Sequence, residues 1–314
     1  MINWQEFFQS IGPNLTEFVM SGCYHEPFTP NTLLPVIVQT CSNLISLQLR
    51  WNNITETTLN HLISYQQFLH LHTLDLSGCQ ILDDTILINM FIRSEKDFHI
   101  RKLILHACTN ITWMSLDTIA ICLPNLVHLG LSRCIGLKNL SSNQSPSCFS
   151  YWPQLEYIDF GHLLTLTNED LTIALNHCLY LKSLLLDHCI QLTDPIIDKL
   201  PVSLQMISVN NCTNFTTARL SSLNLKCPNL QSINVSLIRN FNDQCLIQWS
   251  AQPLKQLKTL VIDYCTDCTL AGIEKILENH GHMQELSLNG NIISSTIDQK
   301  ALQEKFSNVK FVFQ

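Results

Sequence analysis

Residues 178–194 read CLYLKSLLLDHCIQLTD. Leu181, Leu184, Leu186 and Cys189 spell L-x-x-L-x-L-x-x-C, and a second cysteine, Cys178, stands three residues before the first leucine. The alternation around Leu184 and Leu186 predicts a short strand with one buried face. Thr193-Asp194 predicts a helix N-cap, because both side chains can accept from free backbone amides. A single unit of this size cannot bury its own apolar face, so the stretch makes sense only if it recurs.

It does recur. The same phrase starts at Leu15 (LTEFVMSGC), Leu44 (LISLQLRWN), Leu71 (LHTLDLSGC), Ile100 (IRKLILHAC), Leu126 (LVHLGLSRC) and Leu155 (LEYIDFGHL). Beyond Leu181 it starts again at Leu204 (LQMISVNNC), Leu230 (LQSINVSLI), Leu257 (LKTLVIDYC) and Met283 (MQELSLNGN), which makes eleven copies at intervals of 23 to 29 residues. Each copy continues into a helical stretch with apolar residues three and four apart, as in NEDLTIALNHC (168–178) and LAGIEKILENH (270–280). The expected fold is therefore an α/β solenoid with parallel strands on a concave face and helices on the convex one. Residues 1–14 are expected to form an N-terminal cap or short helix, 15–308 the solenoid, and 309–314 a closing strand. Asn52 and Asn291 replace the ladder cysteine and bring the next apolar residue, Ile54 or Ile293, one position sooner, so their turns should differ. Leu163 and Ile238 also stand at the ladder position and should leave their turns more weakly hydrogen-bonded. The polar stretch 139–152 (NLSSNQSPSCFSYW) interrupts the pattern and is expected as a surface loop, and 91–99 (FIRSEKDFH) is a second, smaller, polar extension.

Composition narrows the function classes. With 14% charged and 46% apolar residues, the 314-residue chain can bury a long core and is not of disordered type. A net charge of −7 argues against a nucleic-acid binder, which needs concentrated Lys and Arg. The 14 cysteines fall at repeat-locked positions in a long chain, so buried free thiols in a reducing compartment are expected rather than disulfides. The opening MINWQEFFQS has no basic n-region or apolar h-region, and no run reaches the length of a membrane span. A soluble monomer of the cytoplasm or nucleus is expected. Of the eight N-x-S/T sequons, several, such as those at Asn110 and Asn214, arise from the recurring CTN phrase and others, such as Asn234, fall inside a predicted strand, so they are read as coincidental products of the repeat.

Chemistry is sparse. No P-loop, Rossmann glycine pattern, H-E-x-x-H or G-x-S-x-G occurs. Cys265-x-x-Cys268 with His280 and His282 is the one metal-like spacing, and its histidines stand two apart where zinc sites want three to five. No catalytic residue, metal or cofactor is expected, and an enzyme is not. Thiols buried among leucines should be unreactive. Function is expected on the concave surface, on the order of 50 Å long for eleven strands, which suits a protein partner. Its candidate contact residues are Arg50, Trp51, His106, Arg133, Tyr157, His162, Asp187, His188, Asp263 and Tyr264; among them Trp, Tyr and Arg are the customary hot-spot types. Asp187-His188 is the pair that neighbouring copies lack.

The ladder residues Cys23, Cys79, Cys108, Cys134, Cys189, Cys212 and Cys265, with Cys41, Cys178 and Cys227 ahead of the first leucine, carry a family resemblance. The pattern resembles the cysteine-containing leucine-rich repeat of F-box/leucine-rich-repeat ubiquitin-ligase receptors and of antagonist-of-mitotic-exit-network proteins, over about residues 11–314. That resemblance implies substrate recognition for an SCF-type ubiquitin ligase, in ubiquitin-dependent protein catabolism. No F-box is visible in this chain, so a Skp-type adaptor would be reached through a missing or separate module. The alternative is a repeat-only binding scaffold or regulator outside the ubiquitin system.

Overall fold

The computed structural model describes residues 3–25, 28–64, 69–92, 98–138, 148–291 and 296–313. The chain divides into two compact units, 1–159 and 160–314. In the first, helix α1 (Trp4–Ile11) precedes strands β1 (Glu17–Ser21), β2 (Ser46–Arg50), β3 (Thr73–Asp75), β4 (Lys102–Ile104), β5 (His128–Gly130) and β6 (Tyr157–Asp159). Helices α2 (Pro30–Thr40), α3 (Glu56–Ser64), α4 (Asp84–Ile92), α5 (Trp113–Cys122) and α6 (Cys148–Tyr151) connect them. Each strand pairs in parallel with the next, and the register never slips: Phe18, Leu47, Leu74, Leu103, Leu129 and Ile158 stand side by side.

The second unit repeats the scheme with α7 (Asn168–His177), β7 (Ser183–Leu185), β8 (Met206–Ser208), α8 (Thr217–Leu220), α9 (Leu223–Lys226) and β9 (Ser232–Asn234). It continues through α10 (Asp243–Ala251), β10 (Thr259–Val261), α11 (Leu270–Asn279), β11 (Glu285–Ser287), α12 (Thr296–Lys305) and β12 (Lys310–Val312). Here Leu184, Ile207, Ile233, Leu260, Leu286 and Phe311 form the matching row. The strands are short because only the L-x-L core of each phrase alternates. Leu181, Leu184 and Leu186 are all at most 1% exposed, and truncating one such leucine costs about 2–5 kcal/mol.

The ladder cysteines are structural in a specific way. Their thiols donate to the carbonyl of the second strand leucine, or its equivalent, one repeat back: Cys79 to Leu49 (3.3 Å), Cys108 to Leu76 (3.3 Å), Cys134 to Leu105 (2.9 Å), Cys189 to Phe160 (3.2 Å) and Cys212 to Leu186 (3.0 Å). Burial pushes the thiols of Cys79, Cys134 and Cys212 up to about 12, so they stay protonated and able to donate. Asn52 does the same work with its amide: Nδ2 donates to Met20 (3.0 Å), while Oδ1 accepts from the Cys23 amide (2.8 Å). Asn291 donates likewise to Ile262 (3.0 Å), and the residues that follow it, including Ile293, lie outside the described ones. Leu163 and Ile238 have no polar side-chain atom with which to make this bond. Ahead of the strands, Cys41, Cys178 and Cys227 end α2, α7 and α9, where their amides donate into the last helical turn.

Three expectations change. Thr193 precedes a 3-10 segment, Asp194–Lys199, and makes no side-chain cap for it. This is the 23-residue copy, and its shortened connection holds only the six-residue 3-10 segment. Asp194 instead serves the next repeat: its carboxylate accepts from the Thr216 amide (2.8 Å) and hydroxyl (2.7 Å). The same bracket joins Asp84 to Thr112 and Asp243 to Thr269, while Asn168 accepts from the Thr193 amide and donates to its hydroxyl. The stretch 139–152 is not all surface, for Phe149 and Trp152 are fully buried, with Trp152 Nε1 donating to Leu123 (3.0 Å); residues 139–147 lie outside the described ones. In 91–99 the rings of Phe91 and Phe98 meet edge to face at 5.2 Å in the core, while 93–97 lie outside the described residues. Both stretches look polar in sequence because their few aromatics do the burying.

Candidate protein-interaction surface

The strand residues between the buried leucines stand on an exposed sheet face. In the N-terminal unit this face carries a hydrogen-bonded relay. Gln48 Nε2 donates to Glu17 (2.6 Å), Arg50 donates to the Gln48 carbonyl, and Arg50 Nε meets Asp75 at 2.5 Å. Asp75 is 2% exposed and also accepts from the Ser77 amide (3.0 Å) and hydroxyl (2.6 Å). A carboxylate so buried needs these donors, and they hold the Arg50 side chain, still 43% exposed, in one pose.

Farther along, His128 and Tyr157 stack face to face, 3.7 Å apart and 5° from parallel. Burial, then the positive charges of Lys102 and His106, lowers the His128 imidazole to about 4, so the stack is neutral at physiological pH. His106 accepts from the Ser132 amide at Nδ1 (3.0 Å) and faces Asp159 with Nε2 at 3.8 Å. Burial lowers its pKa despite that carboxylate. Its ring lies on Gly130, where a Cβ would come within 2.7 Å of it.

Five candidate residues share a position that the sequence does not reveal. Trp51 (φ 54°), Arg133 (62°), His162 (60°), His188 (60°) and Tyr264 (58°) are left-handed, as are Ala107, Asn211 and Leu237 and the glycines Gly22, Gly78 and Gly290. All precede the ladder residue. An L-residue pays about 1–2 kcal/mol for this conformation. The turn offsets it by sending the amide to the next repeat: Trp51 to Ser77 (2.6 Å), His188 to Asn210 (2.7 Å), Tyr264 to Asn289 (2.7 Å).

Trp51, His162, His188 and Tyr264 lie on their successors in this row. An added Cβ at Gly78 would sit 2.2 Å from the Trp51 ring, and one at Gly290 would sit 2.3 Å from the Tyr264 ring. His162 stacks on His188 at 4.1 Å, and His188 Nδ1 accepts from Asn211 Nδ2 at 2.9 Å. Trp51 and Tyr264 remain 45% and 56% exposed, so each ring is held flat with its outer side open.

Asp187 and Asp263 are anchored within the sheet. Asp187 accepts from the Ser208 hydroxyl and the Asn210 amide (3.2 Å). Asp263 accepts from Ser287 (2.7 Å), the Asn289 amide (2.9 Å) and Asn289 Nδ2 (3.1 Å). Asp187-His188 is thus two neighbouring structural devices, with the carboxylate tied to β8 and the imidazole to Asn211. The metal-like spacing dissolves in the same way. Cys265 and Cys268 donate to Val235 and Phe241, and His280 uses Nδ1 on Ile276 (2.8 Å) and Nε2 on the Leu254 amide (3.1 Å). Among the described residues no group of three or more His, Cys, Asp or Glu is placed to hold a metal ion, and no helix is long and apolar enough to cross a membrane.

No protein-family model matches this sequence, and no curated protein does. Solved structures do match in fold. Rad7 in the yeast Rad7–Elc1 complex superimposes with a TM-score of 0.63 at 16% identity, covering 99% of this chain and 87% of Rad7. An internalin, inlF, from Listeria monocytogenes gives 0.55 at 18% identity over 97% of this chain and 82% of the other. TLR13 in its complex with ssRNA13 gives 0.54 at 17% identity over 88% of this chain and 36% of that chain. The fold is the α/β leucine-rich-repeat solenoid.

Proposed function

We propose that the chain recognises a protein on its exposed sheet face, and that it does so as the substrate-recognition part of an SCF-type ubiquitin ligase. The observation that carries the binding role is the set of rings and charges fixed before any partner arrives: Trp51 over Gly78, His128 on Tyr157, Tyr264 over Gly290, and Arg50 on Asp75. Groups already immobilised lose little rotamer freedom on binding, a saving of about 0.5–1.5 kcal/mol for each rotamer-rich side chain. The ubiquitin assignment is supported by the cysteine ladder and its resemblance to F-box/leucine-rich-repeat receptors. The role is binding rather than catalysis, in the cytoplasm or nucleus. The likeness to Rad7, which is solved in complex with Elc1, supports a protein partner.

Affinity purification of the tagged full chain from native cells tests both layers. A Skp-type adaptor and a cullin should co-purify together with substrate. Trp51→Ala and Tyr264→Ala should lose the substrate and keep the adaptor. Recovery of neither adaptor nor cullin refutes the ubiquitin role, and substrate retained by both variants refutes the sheet-face role.

A further inference from the structure

In the C-terminal unit a polar depression lies where the chain turns into β10, β11 and β12. It measures about 400 Å³ and is lined by Lys255, Gln256, Lys258, His282, Gln284 and Asn308 around Gly281, with Met283 as its one apolar side chain. A smaller neighbour of about 300 Å³ shares Lys255, Gly281 and His282. No Asp or Glu lines either depression, in a chain whose net charge is −7. The carboxylates nearby are engaged elsewhere: Glu285 with Lys310 (3.2 Å), and Glu274 and Glu278 with Lys305 (3.1 Å each). Among the described residues no carboxylate comes within ion-pairing distance of Lys255 or Lys258. Lys258 Nζ donates to a neutral acceptor, Gln231 (3.2 Å), which steadies the ammonium and leaves its charge unbalanced.

The base is rigid. The amides of Gln284 and Glu285 donate to the Lys258 carbonyl (2.7 and 2.9 Å), Lys310 donates to Gln284 (2.8 Å), and buried His280 bonds backbone through both nitrogens. Two lysines, a histidine and three side-chain amides thus line one depression, with no acid among them. Such a set suits an anion with several acceptor oxygens. The volume lies within the range of sites that take an organic group, about 300–1,000 Å³.

We propose that this depression binds an acidic side chain of a partner polypeptide, a carboxylate or a phosphorylated residue. It is independent of the sheet-face reading, because it uses the turns ahead of the strands. Gly281 supplies the test: an added Cβ there meets nothing within 4 Å, so a side chain can enter the depression with the fold intact.

Fluorescence anisotropy of the full chain would be measured with three labelled peptides of equal length, carrying oligoglutamate, phosphoserine or only neutral residues. Both anionic peptides should bind, the neutral one at least about tenfold more weakly, and the tighter of the two identifies the source of the charge. Gly281→Glu should weaken anionic binding by about tenfold or more while the thermal transition stays in place, and Lys255→Gln should weaken it in the same sense. Tyr264→Ala should leave it unchanged, which separates this site from the sheet face. Equal binding of the neutral peptide, full affinity in Gly281→Glu, or tighter binding of a single-stranded RNA of matched charge overturns the proposal.

Discussion

Asp263 looks like a contact residue from the sequence and like a joint between repeats in the structure, and Asp263→Ala separates the two roles. The carboxylate accepts from Ser287 (2.7 Å), from the Asn289 amide (2.9 Å) and from Asn289 Nδ2 (3.1 Å). A hydrogen bond to a charged group is worth about 1.5–3 kcal/mol when well buried. Asp263 is half-buried and its bonds share one carboxylate, so the sum falls well short of three full values. We expect Asp263→Ala to cost about 2–3 kcal/mol. Asp263→Asn keeps an acceptor for Ser287 and the backbone amide but opposes its NH2 to Asn289 Nδ2, and should cost about 1 kcal/mol. Because each repeat touches mainly its neighbours, the loss should be local. Amide hydrogen exchange at Asn289 and through β11 is therefore the sensitive assay, with urea unfolding for the total. Exchange at Asn289 should accelerate roughly tenfold for each ~1.4 kcal/mol lost locally. Unchanged protection at Asn289, with stability within about 0.5 kcal/mol of the parent, would refute the joint and return Asp263 to the pool of surface contacts.

Acid should weaken the N-terminal unit. His128 is held near 4, below its ordinary 6.5, so its contribution is complete above about pH 6.5 and is lost as pH falls toward 4. The shift corresponds to at most about 3 kcal/mol, and partial exposure reduces this to about 1–2 kcal/mol; His128→Gln should flatten that limb of a stability–pH profile, and an unaltered limb would contradict it. Thiol reagents on the native chain should modify Cys23 and Cys122 first, since these are half-exposed and the other twelve cysteines are buried; rapid modification of Cys134 or Cys189 by mass spectrometry would overturn the ladder. Gly290→Ala should cost about 2 kcal/mol or more, from φ +64° and from a Cβ 2.3 Å from the Tyr264 ring. In a Tyr264→Gly background only the backbone share, about 1 kcal/mol, should remain, and additive costs in the double-mutant cycle would show that the ring does not cover Gly290.

The repeat phrase by itself determined the architecture. Leu181, Leu184 and Leu186 alternate because one strand face is buried, the interval of 23 to 29 residues leaves room for one connection, and equal strands stack only in parallel order. The cysteine ladder was legible for the same reason, since a small buried residue recurs wherever the turn points inward. Which exposed side chains were free could not be read there. Trp51, His188 and Tyr264 differ in type yet share a left-handed turn, and backbone dihedrals leave no mark when Trp, His, Tyr and Gly occupy one position. The partners of Asp187, Asp194 and Asp263 lie 21 to 26 residues away, in the next repeat. A carboxylate's neighbours across a sheet depend on register, and register exists only after the strands have paired. Tertiary structure therefore decided that two candidate acids brace the sheet, that the rings beside the ladder are preset, and that lysines near β10 gather where no carboxylate answers them.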